Sequence, residues 1–306
     1  MPVDAGMGMF LITGAGGGVG SVSRRVVEEL RRADQPVRAL VRRDDERAER
    51  LRDLGAEVVV GDLTSTLDVA RAIAGVTRMF FNMSVSPEYV EASAVVSAVI
   101  DELGGVELVV NMSQMTVSQM TLTSTEESRQ HRLHWLAEHV MNWSGIPVVH
   151  VRPTVFLDNP LFTVLGAASV RDRDVLALPF GDGRTSPIAA DDVARVVVAL
   201  LRDPAPTIGD VYELTGPQVL DVAGLAEQFS RALGRHIVPE DLPVDRMHSQ
   251  LGGSGLSEHV AHHISTMAQL HRDDRYNRST DDVERITGRP AQTVEQYVSA
   301  HPDLFC

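Results

Sequence analysis

Along the first half of the chain, short and wholly apolar runs alternate with longer stretches in which apolar positions recur every third or fourth residue. The runs predict strands and the stretches predict helices, the alternation expected of βαβ units. GMFLIT (8–13) predicts a buried strand, followed by glycines and then a helix through SVSRRVVEELRRA (21–33). VRALVR (37–42) predicts a second strand, and DDERAERLRDLG a charged helix closed by Gly55. EVVVGD predicts a third strand, LDVARAIAG a helix stopped by Gly75, and RMFFNMS a fourth strand. A long helix should run from Pro87 to about Leu103, before a fifth strand in VELVVNMS and a sixth in VVHVRP (148–153).

Strands apolar on both faces belong in a parallel sheet covered by helices. Right-handed crossovers then give a doubly wound sheet. After Pro153 the regularity loosens. DDVARVVVALLRD (191–203) predicts an amphipathic helix, DVYELTG a late strand near 210–215 that rejoins the sheet, and DVAGLAEQFSRALG another helix. From about residue 237 helical pieces are separated by Gly, Pro and Asp. The expected fold class is α/β: a doubly wound parallel Rossmann sheet with a smaller, mainly helical C-terminal lobe. The expected division is a Rossmann domain over 1–156 and a substrate or lid lobe over 157–306, capping the carboxyl ends of the strands.

Composition narrows the function classes. A formal net charge of −14 argues against a broad surface for nucleic acid or an anionic membrane. The one cysteine is Cys306, so no internal disulfide or cysteine-based zinc site is expected, and a reducing cytoplasm fits. No signal-peptide pattern and no apolar run of membrane-spanning length is present, so the expected location is cytoplasmic. The chain also contains no lysine: all 28 basic residues are arginine. That excludes a lysine Schiff base, a P-loop lysine and a lysine-assisted tyrosine.

TGAGGGVG (13–20) lies between the first strand and the first helix. Gly14 allows the tight turn, Gly17 lets the backbone approach a pyrophosphate, and Gly20 lets helix and strand pack closely. The helix N-terminus behind them offers unpaired N–H groups and the positive end of its dipole. At the end of the second strand an acidic residue would bind a ribose 2′-hydroxyl, whereas arginine accommodates a 2′-phosphate. Arg42 and Arg43 stand there, with Asp44 and Asp45 one step later, so NADP(H) is expected in preference to NAD(H). The alternative is that the two aspartates cap the next helix and the arginines are merely solvated. Asp62, in GDL (61–63), can accept from an adenine amino group or serve as a helix N-cap. NMS (82–84) and NMSQM (111–115) end neighbouring strands, where Met83, Met112 and Met115 can line a crevice for a flat ligand or act as ordinary core residues. The expected cofactor contacts are Gly14, Ala15, Gly17, Gly18, Val19, Gly20, Arg42, Arg43, Asp62, Leu63, Asn82, Met83, Ser84 and Met112.

With these pieces the chain resembles the NmrA-like family of atypical short-chain dehydrogenase/reductases over most of its length. The markers are TGAGGGVG, VRALVRR, GDL, SGIPVVHVRPTVFLDN (144–159), IAADDVARVVVALL (188–201) and DDVERITGRPAQTVEQYV (281–298). The resemblance implies a Rossmann domain with a small C-terminal lobe and NADP(H) as cofactor. It implies either reduction of quinones or azo and triphenylmethane dyes, or redox sensing with little catalysis.

Counting back from AEHVMNWSGIP, the tyrosine and lysine of conventional relatives would fall at Gln130 and His134. That relay is absent, and the four tyrosines (Tyr89, Tyr212, Tyr276 and Tyr297) lie far from this frame. His134 or His131 can act as general acid in its place. Gln130, His134 and Glu138 then share one helix face, so that Glu138 can orient the His134 ring. Alternatively water protonates a delocalised product, and the two histidines are polar residues on a helix whose apolar side is Leu133, Leu136, Ala137 and Val140. Ser113 matches the serine of conventional relatives, where it can bond a substrate oxygen or serve a turn. The i, i+4 pair His259 and His263 has no carboxylate at zincin-like spacing, and no metal site is expected. The expected activity is NADPH-dependent reduction of a small aromatic or quinone-like molecule. The alternative is an NADP(H)-sensing regulator with a protein partner.

Overall fold

The computed structural model describes residues 8–17, 21–203, 208–251 and 256–306. The first half follows the expected alternation: β1 (Met9–Thr13), α1 (Val22–Arg32), β2 (Val37–Val41), α2 (Glu46–Asp53), β3 (Glu57–Val60), α3 (Thr66–Ile73), β4 (Val76–Phe81), α4 (Tyr89–Leu103) and β5 (Leu108–Met112). A 3-10 turn at Met115–Gln119 precedes α5 (Arg129–Trp143) and β6 (Val148–Pro153). A π-helical turn, Leu161–Gly166, leads into α6 (Ala167–Arg173), β7 (Val175–Leu178), α7 (Ala190–Arg202) and β8 (Val211–Leu214). The remainder is α8 (Val222–Leu233), β9 (Val238–Asp241), α9 (Val244–Leu251), α10 (Glu258–Arg272), α11 (Asp282–Thr287), α12 (Val294–Ala300) and α13 (Pro302–Phe305).

The chain divides into two compact units that interleave along the sequence. One takes in the chain up to Ser113, then Leu133–Val151 and Ala194–Tyr212; the other comprises Gln114–Arg132, Arg152–Val193 and Glu213–Cys306.

The first unit is built on a seven-stranded sheet of order β3-β2-β1-β4-β5-β6-β8. It is parallel throughout the inner strands, with Ile12 opposite Ala39 on one side and Phe80 on the other. The late strand rejoins the sheet beside β6 as expected, where the N–H of His150 donates to the carbonyl of Asp210 at 3.0 Å. The order reverses between β1 and β4, because the chain first winds outward to β3 and then crosses back. Leu11, Phe81, Tyr89, Val109, Leu133 and Met141 belong to one buried cluster, so α4 and α5 cover the same apolar core.

The second unit has its own core, in which Phe162, Phe180, Phe229, Tyr276 and Phe305 are buried. It is mainly helical, but β7 and β9 pair in parallel, Val175 opposite Val238 through Leu178 opposite Asp241. Neither strand is legible in the sequence. Each has four residues, and the second reads VPED, with a proline and two acids where β-branched residues would be expected. No helix among the described residues is long and apolar enough to cross a membrane.

Candidate functional site

The strand order of the first unit reverses where β1 meets β4, the position at which open α/β sheets form their ligand crevice. Gly14 sits there at φ 72°, and a Cβ on it would stand 2.7 Å from the carbonyl oxygen of Asn82. Side chains hold this close approach. Thr13 Oγ1 donates to the Asn82 carbonyl at 2.8 Å and accepts the Asn82 N–H at 2.9 Å. Asn82 Nδ2 in turn donates to Ser23 Oγ at 2.9 Å, tying the end of β4 to β1 and to the first turn of α1. Ala15 is buried beside them. At Gly17, with φ 153°, a Cβ would meet the Arg47 guanidinium at 3.1 Å. Gly18, Val19 and Gly20 lie outside the described residues.

The end of β2 presents charge. Arg42 Nη2 lies 3.1 Å from Asp62 Oδ2 and 3.6 Å from Glu88 Oε2, and Arg42 and Arg43 are both exposed. Of the two aspartates, Asp44 pairs with Arg52 at 2.8 Å and Asp45 is the N-cap of α2. The Asp45 carboxylate also grips the Arg47 guanidinium, and that hydrogen bond holds its pKa down to about 2. Asp62 Oδ1 accepts the N–H and Oγ1–H of Thr64 at 2.9 and 2.8 Å. Those bonds first, and the Arg42 charge after them, lower its pKa. The N-cap of α3 is Ser65, so Asp62 closes an Asx-type turn instead of capping that helix. Leu63 packs half-buried against the core of the first unit.

At the ends of β4 and β5, Met83 is half-buried against the core and Ser84 is exposed. Met112 is buried, and its carbonyl accepts the Tyr89 hydroxyl at 2.8 Å. Met115, in the second unit, is fully buried and packs as a core residue. Ser113 donates its N–H to the carbonyl of Val151 at 2.8 Å, while its buried Oγ has no hydrogen-bond partner among the described residues. A hydroxyl in that state retains capacity for a ligand oxygen or nitrogen.

Helix α5 carries the remaining candidates. Gln130 is completely buried, its Oε1 lying 2.9 Å from His259 Nε2. His131 is buried too, and reciprocal bonds with Ser128 make it part of the helix cap: its Nδ1 accepts the Ser128 N–H at 3.2 Å, and its N–H reaches Ser128 Oγ at 3.3 Å. His134, one turn on from Gln130, is half-buried against the ring of Tyr89, with centroids 4.3 Å apart. Burial, and secondarily the Glu138 charge, raise the Tyr89 pKa. The apolar face of the helix needs one correction. Leu133, Ala137 and Met141 enter the core, whereas Leu136 is exposed, because it falls on the outer side with Arg132 and Trp143.

Three residues here escape sequence reasoning. Arg47 and Glu88 reach the end of β2 only through the folding of α2 and α4 toward β1 and β2. Tyr89 had one available signal: in a doubly wound sheet the helices after consecutive strands lie side by side, so the first residue of α4 comes near the early turns of α5.

Residues 17–204 match a family model described as NAD(P)H-binding. The chain is 28% identical over 291 residues to the NAD(P)H azoreductase of Xenophilus azovorans, covering 94% of this chain and 97% of that protein. It is 30% identical over 299 residues to the (4-alkanoyl-5-oxo-2,5-dihydrofuran-3-yl)methyl phosphate reductase of Streptomyces griseus subsp. griseus, covering 97% and 99% of the two chains. Its fold matches the crystal structure of NmrA, a negative transcriptional regulator in complex with NADP, with a TM-score of 0.78 at 14% identity, covering 95% of this chain and 94% of that one.

Proposed function

The chain belongs to the NAD(P)H-binding family, and on that footing we propose that it is an NADPH-dependent reductase of a small, flat, electron-poor substrate of the quinone, dye or enone type. What carries this reading is the relationship, over nearly the whole of each chain, to two reductases, one of them an azoreductase that uses NAD(P)H.

The residues present fit a nicotinamide dinucleotide. Gly14 has no room for a Cβ against the Asn82 carbonyl, and a Cβ on Gly17 would press on the Arg47 guanidinium, so both positions of this turn at the strand crevice depend on glycine. In the proposed complex these glycines, with Ala15, Gly18, Val19 and Gly20, face the pyrophosphate. Arg42 and Arg43, joined by Arg47, receive the 2′-phosphate and favour NADP(H) over NAD(H). Asp62 and Leu63 border the adenine, while Asn82, Met83, Ser84 and Met112 border the nicotinamide.

When bound, the cofactor supplies a hydride. Ser113 Oγ–H hydrogen-bonds the acceptor oxygen or nitrogen of the substrate. The proton that completes the reduction comes from His134, or from water once charge has spread through the conjugated product. Gln130 holds the first turn of α5 and so the position of His134. No tyrosine–lysine relay is involved, since the chain has no lysine.

The test is loss of NADPH absorbance on mixing the purified protein with a panel of quinones, azo and triphenylmethane dyes, and enones. No turnover with any of them, despite tight NADPH binding, would overturn the proposal. The missing lysine also favours a second reading, an NADP(H)-responsive regulator. A pull-down in which no partner distinguishes NADPH from NADP⁺ would remove that one.

A further inference from the structure

The reductase reading leaves the histidine pair of α10 without a role. His259 and His263, one turn apart on that helix, both meet the start of α5. His259 Nε2 lies 2.9 Å from Gln130 Oε1, and an amide oxygen only accepts, so this ring nitrogen carries the proton. His263 Nδ1 lies 2.9 Å from Ser128 Oγ, which is itself 2.8 Å from His131 Nδ1. The rings of His131 and His263 are 4.6 Å apart. Ser128, Gln130, His131 and His263 are all buried.

The hydrogen-bond pattern fixes the charge state. Ser128 and His131 form a capping box in which histidine occupies the place usually taken by Glu or Gln. His131 Nδ1 accepts the Ser128 N–H, so a proton added there would face a donor. A cation in the first turn also opposes the positive end of the helix dipole. His263 is pushed down to about 3 by burial, and further by His259 and His262. The other charged and titratable groups between Glu126 and Arg132 and between Glu258 and His263 are Glu126, Glu127, Arg129, Arg132, Glu258 and His262, with His134, Glu138 and His139 farther along α5 and His271 and Arg272 farther along α10. Glu126 and Glu127 are paired with Arg275 at 3.2 and 3.0 Å, and partial burial first, then the Arg129 and His262 charges, disfavours a second proton on His259.

We propose that this cluster is an acid-sensitive latch: neutral His131 and His263, joined through Ser128 and flanked by the Gln130–His259 contact, hold the first turn of α5 and release it when the histidines are protonated. Its sequence signature is S-x-x-H followed by H-x-x-x-H on a later helix. The latch does not depend on the reductase reading, and its test needs neither cofactor nor substrate.

In the open state each histidine titrates with an ordinary pKa of about 6.5, so acidifying to about pH 5.5 favours opening about tenfold for each one released. The measurement is hydrogen–deuterium exchange of the full chain at about pH 7.5 and pH 5.5, corrected for intrinsic exchange rates and read at the amides of His131 and Arg132. Protection in the wild type should fall about tenfold to a hundredfold on acidification. His131→Gln supplies the conventional capping-box side chain without a titrating group. It should keep the neutral-pH protection and lose a large part of the pH response, and adding His263→Gln should abolish the rest. Unchanged wild-type protection at the lower pH would overturn the latch. So would an undiminished pH response in His131→Gln, a single variant that guards against misfolding of the double one.

Discussion

The rings of Tyr89 and His134 pack at 4.3 Å with their planes inclined by 54°, although the two residues are remote in sequence. The Tyr89 hydroxyl is committed to the Met112 carbonyl, and its raised pKa keeps it protonated. This tyrosine is therefore a post against which the imidazole stands, not a proton donor. Tyr89→Phe keeps the ring but strands a buried carbonyl, and should cost about 1–3 kcal/mol in denaturant unfolding. Tyr89→Ala also opens a cavity and should cost about 3–5 kcal/mol.

His134→Ala tests the proton source. If the imidazole donates, kcat for a quinone or enone should fall by about a hundredfold or more while NADPH affinity stays unchanged. Full turnover in the variant would assign the proton to water.

Gly14 and Gly75 give a paired test of the turn. Both have positive φ, but a Cβ at Gly75 meets nothing within 4 Å, whereas one at Gly14 collides with the Asn82 carbonyl. Gly75→Ala should cost only backbone strain, about 1 kcal/mol. Gly14→Ala should weaken NADPH binding at least about tenfold in a fluorescence titration, since the loop must shift to admit the methyl group.

Cofactor choice should follow Arg42 and Arg47. Removing a charge-assisted contact to a phosphate costs about 1.5–3 kcal/mol, so Arg42→Ala should bind NADPH about tenfold to a hundredfold more weakly and leave NADH unaffected. Equal wild-type affinity for NADPH and NADH would remove the preference altogether.

Stability should fall in acid. His263 and His271 are both lowered to about 3, each chiefly by burial, and His271 lies stacked between Phe180 and Tyr276. Between that value and an unfolded pKa of about 6.5, the unfolded chain binds more protons than the folded one. The stability is thus fully present above about pH 6.5 and declines as pH falls toward 3, at up to about 1.4 kcal/mol per pH unit for each histidine. Urea unfolding at several pH values reads the slope, and His271→Phe should reduce it.

The sheet was legible because apolar runs such as LVV in β5 and VVHV in β6 are buried on both faces, and their limits are set by turn residues. Strands β7 and β9 were hidden because four residues give periodicity too little length to register. The glycine loop and Arg42 announce themselves locally. By contrast, His263 beside His131 and the partners of Gln130 and His134 lie on other helices, and residue spacing carries no information about which helix that will be.

Asn82, bonded through its backbone to the Thr13 hydroxyl of β1 and through its side-chain amide to Ser23 of α1, sets the shape of the glycine turn when the protein folds, before any ligand arrives. Preorganisation of this kind makes conformational stability and ligand affinity two readings of one amide. Thermal midpoint and dissociation constant should therefore move together across substitutions at Asn82, a correlation that residues acting only on the ligand cannot produce.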